Sequence, residues 1–359
     1  MEELSGLRKR IDALDDRILE ALNERAKVVQ KVYEVKVREA KGGKVQAFVP
    51  SREASILRRL AGKNAGPFPG EGIAPVFREV ISACRSLEQL PRVAYFGAPW
   101  SNTHEAALNC FGSRAEFNSG AGIPGVFEDV ERNRADYGVV PVENSTEGAI
   151  VHTLDVLAGT DLKVCAEISL PIRNLLLGRR TLKEIRTVVS HPQPLAQCRV
   201  WLARHLPGVK LLAVDSTPLA AQRAAKDRSG AVAAIASELA ARKYGAPVLV
   251  RDIQDRGDNA TRFFVVGRTL ARPSGKDKTS VVVSVRDKVG ALAGLLKPFE
   301  RHRVNLTSIE SRPSKKRAWE YYFFVDFHGH QDDPRIQRLL KDLARSSAHL
   351  KVLGSYPAA

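Results

Sequence analysis

From Leu4 to about Lys41, the apolar positions Leu4, Leu7, Ile11, Leu14, Ile18, Ala21, Val28, Val32 and Val35 recur at spacings of three and four, with no Pro and one Gly. The pattern predicts one long amphipathic helix. At 1.5 Å per residue some 35 residues extend about 50 Å, longer than a small domain is wide, so the stripe is expected to pack against a second chain as a helical dimer. After a Gly-Gly loop, Pro50-Ser51-Arg52-Glu53 opens a second helix with Ser51 as cap, and Ala74 to Leu90 makes a third.

Beyond Pro91 the period changes. Strands are expected at Arg92 to Gly97, Ala135 to Val142, Leu162 to Ile168, Leu175 to Leu177, Thr187 to Ser190, Lys210 to Val214, Ala231 to Ala236 and Thr261 to Gly267. Helices fall between them at His104 to Phe111, Pro194 to Leu206, Thr217 to Lys226 and Ser237 to Tyr244, an α/β alternation. A linker, Arg272 to Lys278, then leads to a strand (Ser280 to Val285), a helix (Gly290 to His302) and a hairpin (Asn305 to Arg312 with Trp319 to Phe327). A helix (Pro334 to Ser347) and a strand (Lys351 to Ser355) complete the βαββαβ order of the ferredoxin-like layout.

With 359 residues, 44% of them hydrophobic, the chain is long enough for two or three cores. The periods divide it into residues 1–90, 91–271 and 279–357. No apolar run is long enough to span a bilayer and the first ten residues are of mixed charge, so a soluble cytoplasmic protein is expected. Cys84, Cys110, Cys165 and Cys198 stand singly, which indicates free thiols and neither a disulfide framework nor a metal site. The net charge of +16 is spread along the chain without the motif of a nucleic-acid reader, and is read as steering of anionic substrates and solubility. Neither Gly-x-Gly-x-x-Gly after the first strand nor a P-loop is present, so no nucleotide cofactor is suggested.

Two places carry candidate chemistry. At Tyr137 to Gly148 an apolar strand breaks into Glu143, Asn144, Ser145 and Thr146. Polar groups beyond a strand's carboxyl end suit a small anionic ligand, and they equally suit an ordinary hydrogen-bonded turn. On the long helix, Arg25 occupies a position where the stripe calls for an apolar side chain. Lys36, eleven residues on, lies about 20° around the helix from Arg25, and Arg8 and Arg52 can join from neighbouring helices. A structural Arg paired to Glu53 or Glu24 is the alternative.

Taken together, Pro-Val-Glu-Asn-Ser-Thr-Glu-Gly at 141 to 148, Ser-His-Pro-Gln at 190 to 193 followed by Gln197 and Cys198, Thr-Arg-Phe at 261 to 263, Gly-Ala-Leu at 290 to 292 and Glu-Ser-Arg-Pro at 310 to 313 resemble the bifunctional chorismate mutase/prephenate dehydratase family. The resemblance covers nearly the whole chain. It implies an all-α mutase dimer domain, an α/β dehydratase domain like the periplasmic binding proteins, and an α+β ferredoxin-like ACT domain. The implied reactions are rearrangement of chorismate to prephenate and decarboxylative dehydration of prephenate to phenylpyruvate, without a cofactor, in a homodimer or higher homo-oligomer that binds neither nucleic acid nor membrane.

The resemblance also implies roles for individual residues. Arg8, Arg25, Lys36, Arg52 and Glu53 fall on the mutase site, where fixed cations hold a dianion and stabilise charge on the ether oxygen. Glu88 and Cys84 stand where a Gln and a Ser occur in relatives, and a Glu88 facing the ether oxygen must carry a proton to donate. Val49 stands where an Asp is common. In the dehydratase, Thr261 assists departure of the ring hydroxyl, while Ser101, Thr103, Glu143, Asn144, Ser145, Gln197, Arg262 and Phe263 surround the substrate. Trp100 replaces a small residue of the family's loop, and His191 is either structural or a proton carrier. L-Phenylalanine is expected at Gly290, Ala291, Leu292, Asn305, Leu306, Glu310, Ser311, Arg312 and Pro313, as a feedback inhibitor. Two other readings stay open: a monofunctional dehydratase with a degenerate helical arm, and a non-catalytic amino-acid-sensing or basic nucleic-acid-binding protein.

Overall fold

The structure, a computed structural model, describes residues 2–40, 45–285, 289–313 and 321–359. Lys41, the Gly-Gly loop and Trp319, all used in the sequence reading, lie outside the described residues. The first unit is three helices: α1 (Glu2–Glu39), α2 (Pro50–Lys63) and α3 (Gly70–Ser86). Lys36 and Arg38 fall in the last turn of α1, where cations complement the helix dipole. Val49, not Ser51, caps α2; Pro50 takes the first helical position, where a missing N–H is harmless, and Ser51 is buried inside the helix. The apolar stripe of α1 stays open in the single chain, with Leu14 48% and Ile18 58% accessible.

The second unit has two lobes. Lobe one contains β1 (Arg92–Phe96), α4 (Asn102–Phe111), β2 (Glu116–Gly120), α5 (Gly122–Glu131), β3 (Tyr137–Asn144), β4 (Gly148–Ala149), α6 (Val151–Gly159) and β5 (Lys163–Pro171). Lobe two contains β6 (Leu175–Leu177), β7 (Thr187–Ser190), α7 (Pro192–Gln197), α8 (Arg199–His205), β8 (Lys210–Ala213), α9 (Thr217–Lys226), β9 (Val232–Ala236), α10 (Glu238–Tyr244) and β10 (Val248–Val250). The chain then returns to lobe one as β11 (Ala260–Gly267). The sheets run β2-β1-β3-β11-β5, with β4 on β3, and β10-β6-β9-β7-β8. β1, β2 and β3 are parallel, while β11 runs antiparallel to both β3 and β5. The start of β11 therefore meets the ends of β1 and β3 at one edge, where the two crossings between lobes also lie.

Five elements escaped the sequence pattern. β2 is a polar edge strand, β4 has two residues and β10 three, α5 opens through Gly122, Pro124 and Gly125, and α6 has nine residues. The single helix expected from Pro194 to Leu206 is two, broken at Cys198 (φ −112°, ψ 14°).

The third unit comprises β12 (Asp277–Ser284), α11 (Ala291–Arg301), β13 (Leu306–Pro313), β14 (Tyr321–His328), α12 (Pro334–Ser346) and β15 (His349–Pro357), in sheet order β13-β14-β12-β15. Asp277 and Lys278 belong to β12, so the linker is shorter than expected. The units are packed together by side chains that leave their own fold. Phe48, ahead of α2, is 3% accessible and sits against Phe111 (4.5 Å between ring centres) and Tyr137 (5.1 Å) in lobe one. Tyr356 of β15 is fully buried and packs on Phe264 of β11.

Candidate active sites

At the edge of lobe one, Thr261, the second residue of β11, lies directly opposite Asn144, the last residue of β3. The Asn144 amide donates to Thr261 Oγ1 (2.9 Å) and to Asn259 Oδ1 (3.0 Å). Its carbonyl oxygen accepts from the backbone N–H groups of Thr146 (3.0 Å) and Glu147 (3.2 Å). Asn144 is thus both the turn former and the partner of Thr261, and the two readings of this segment describe one residue. Ser145 fastens the neighbouring strand: its Oγ accepts from Ala260 N (3.0 Å).

Lobe two faces this edge through α7. Gln193 and Gln197 both donate to Glu147 Oε1, at 2.7 and 3.2 Å, and Gln197 Oε1 accepts from Asn174 in the crossing segment (3.3 Å). Glu147 therefore ties the lobes together, a role its place in the motif did not reveal. His191 caps α7, its Nδ1 accepting from Gln193 N at 3.3 Å, the structural arrangement of the two foreseen.

The loop after β1 reaches the same edge. Ser101 caps α4, and Thr103 is buried in its first turn. Trp100 adopts φ 70°, unusual for a non-glycine residue, and its indole lies 4.5 Å from the Lys243 ammonium of lobe two. The Trp100 backbone N–H donates to His104 Nδ1 (3.0 Å), and His104 stacks on Tyr95 (4.6 Å). Burial pushes the His104 imidazole down to about 4, so the ring is neutral at pH 7.

Three residues grouped with the substrate ligands by sequence lie elsewhere. Successive strand side chains point to opposite faces, so Arg262 turns away from Thr261. It meets Glu167 Oε2 (2.8 Å), Asp326 Oδ2 (2.5 Å), Tyr356 Oη (3.0 Å) and, more distantly, Glu143 (3.7 Å). Glu143 accordingly sits with Arg262 beside the third unit, and Phe263 is a core side chain, 1% accessible. Burial raises the Glu167 carboxyl, but Arg262 and Lys278 (2.8 Å) more than offset it and hold it below the usual carboxylate range.

In the helical unit the structure forms two pairs among the expected residues, Lys36 of α1 with Glu88 just past the end of α3, and Arg25 of α1 beside Glu53 of α2. Lys36 Nζ is 3.3 Å from Glu88 Oε2, so within one chain the ammonium expected at the ether oxygen faces this carboxyl group. Arg25 Nη1 is buried with no hydrogen-bond partner, although Arg25 lies close enough to lower the Glu53 carboxyl electrostatically. Glu53 is instead fixed by Arg85, whose Nη1 stands 2.5 Å from Glu53 Oε1. Arg8 and Arg52 are exposed, and Arg8 stands seventeen residues ahead of Arg25, about 25 Å along α1. One chain does not bring Arg8 to the cluster.

In the third unit Gly290 (φ 77°) precedes α11, at the sheet end where Ser311, Arg312 and Pro313 close β13. Glu310 lies on the same strand, whereas Asn305 and Leu306 lie at its other end, beside Phe327, so one chain does not gather all nine residues. Arg312 reaches Asp155 of α6 (3.7 Å).

Helical, two-lobed and ferredoxin-like units with these sites define a multidomain enzyme carrying a mutase, a dehydratase and an ACT unit. Residues 7–89 match the type II chorismate mutase family, 93–270 the prephenate dehydratase family and 279–345 the ACT domain. The chain is 46% identical to the bifunctional chorismate mutase/prephenate dehydratase of Aquifex aeolicus, over 100% of this chain and 99% of the relative, and 44% identical to that of Pseudomonas aeruginosa, over 100% and 98%. The crystal structure of the Arthrobacter aurescens prephenate dehydratase in complex with L-Phe superposes with a TM-score of 0.68 at 35% identity, covering 74% of this chain and 90% of that one. The chain belongs to the bifunctional chorismate mutase/prephenate dehydratase family. With a mutase domain matched in its own right, the reading of a monofunctional dehydratase is set aside.

Proposed function

We propose that the two reactions are carried by the two side-chain clusters described above. In the dehydratase, the observation that carries the reading is the Asn144–Thr261 hydrogen bond at the floor of the interlobe edge. A hydroxyl whose lone pair already accepts from Asn144 has its own proton to give, and aimed at the ring hydroxyl of prephenate it would stabilise charge on the departing oxygen. Aromatisation supplies most of the driving force, so a positioned neutral donor suffices. Thr103 and Gln197 orient the substrate, Ser101 and Ser145 hold the loops that carry the site, and Glu147 with Trp100 keeps the lobes closed over it. Arg262, Glu143 and Phe263 support the strand instead of touching substrate.

In the mutase, Arg25 and Lys36 bind the dianion and its ether oxygen, with Glu53 accepting from the substrate hydroxyl and Glu88 beside Lys36. The exposed stripe of α1 is proposed to close against a second copy, which would supply Arg8 to complete the cluster and bury side chains now about half accessible. L-Phenylalanine is proposed as an effector of paired ACT units, which would unite Gly290, Ala291 and Leu292 of one copy with Asn305 and Leu306 of another. The absence of any helix among the described residues that is long and apolar enough to cross a membrane fits a cytoplasmic enzyme. The test is phenylpyruvate formation from chorismate by the purified chain: steady production that falls on adding phenylalanine supports the reading, and chorismate left unconsumed rejects it.

A further inference from the structure

We propose that Arg85, which carries none of the roles assigned above, is a positioning residue of the mutase site and makes that site depend on the docked dehydratase lobe. The inference rests on the mutase assignment of Glu53. Arg85 is 3% accessible on α3, with one arm on Glu53 Oε1 at 2.5 Å and the other donating to the Phe111 carbonyl at the end of α4. Its guanidinium lies over the rings of Phe48 (5.2 Å) and Phe111 (5.7 Å). One planar cation therefore joins a carboxylate of the mutase cluster to the last turn of a dehydratase helix, and two aromatic faces keep water from it.

Glu53 needs such a partner. It is raised by burial, and among the groups that face it Arg85 opposes that rise most strongly, ahead of Arg25 on α1 and Arg78 on α3. On the α4 side the facing titratable group is Cys110, whose thiol burial pushes up to about 12, so it stays neutral there. Without Arg85 the carboxylate would lose both its fixed rotamer and its strongest countercharge, and would take up a proton at higher pH. A protonated Glu53 cannot accept from a substrate hydroxyl in the same way. The anchor on Phe111 adds a consequence: a shift of α4 is felt at Glu53 through two hydrogen bonds, and α4 begins at Ser101 and Thr103 of the other site.

The experiment compares Arg85→Gln, Arg85→Ala and Arg85→Lys in the full chain, following chorismate consumption against pH and, separately, turnover of supplied prephenate. The expected result is a fall of about tenfold or more in mutase kcat/KM for Arg85→Gln and Arg85→Ala. The acidic limb of the profile should move to higher pH, Arg85→Lys should recover a good part of both, and prephenate turnover should stay within about twofold of the parent. A mutase profile unchanged in position, or equal losses of both activities in all three variants, would overturn the proposal, because the first denies any action on Glu53 and the second describes a mere structural clamp. If the parent chain itself leaves chorismate unconsumed, it is the mutase reading that fails, before Arg85 is touched.

Discussion

Replacing Arg262 by Met removes the cation at the junction of β11 with the third unit while keeping much of its length. Two buried carboxylates stay behind, with the more exposed Glu143 (3.7 Å) beside them. The Glu167 side chain is 1% accessible and that of Asp326 11%, while Arg262 itself is 17% accessible, so all three charges are poorly screened. Removing one partner of a buried pair costs about 3–5 kcal/mol, because the remaining charge is left uncompensated. Glu167 keeps Lys278 and the backbone N–H of Ala359, whereas Asp326 loses its guanidinium, so the lower half of that range is expected. For units of this size about 1 kcal/mol corresponds to roughly 2–4 °C, and the unfolding midpoint should fall by roughly 6 °C or more. Differential scanning calorimetry reads this directly, and the double variant Arg262→Met with Asp326→Leu should recover stability because its buried charge is gone. A single variant that melts within about 1 °C of the parent, or a double variant no better than the single, would refute the reasoning that this network is buried and balanced.

Two further outcomes follow from the geometry. The unfolded imidazole titrates near 6.5 while His104 in the fold is held to about 4, so the unfolded chain takes up the proton first as pH falls through this window and stability is lost. The gap corresponds to at most about 3 kcal/mol; urea midpoints at pH 7 and pH 4.5 should differ by less in His104→Leu than in the parent, and an equal difference would contradict the neutral, buried ring. Ile18→Asp places a charge on the apolar stripe of α1, where Ile18 is 58% accessible in one chain. Light scattering should show loss of the larger species with loss of mutase activity, and an unchanged mass would deny that this face is an interface.

The long helix and the α/β alternation were legible because each rests on a period repeated many times. The pair Thr261 and Asn144 was legible as well, since both stand where a strand meets a polar turn. Arg262 and Glu143 stand apart from Thr261 and Asn144 for a physical reason, whereas Phe263 shares the face of Thr261 and is buried further into the core. Neighbours in a motif on a β-strand point to opposite faces, so contiguity in sequence groups residues that the sheet separates. Arg85 and Glu147 were passed over because a charged side chain on a helix or in a turn is ordinarily solvated; only the docking of Phe48 and Phe111 over one, and of α7 over the other, gives them partners. Ser51 was taken for a cap because Ser often caps, while Pro50 had already fixed where α2 begins.

The most direct test of the central claim, that one chain passes chorismate through two separate side-chain clusters, is the product balance of Thr261→Ala supplied with chorismate. Chorismate should disappear at close to the parental rate while prephenate accumulates and phenylpyruvate formation falls at least about a hundredfold, as expected for loss of a positioned transition-state donor. Phenylpyruvate released at near the parental rate, or a simultaneous loss of chorismate consumption, would contradict the account.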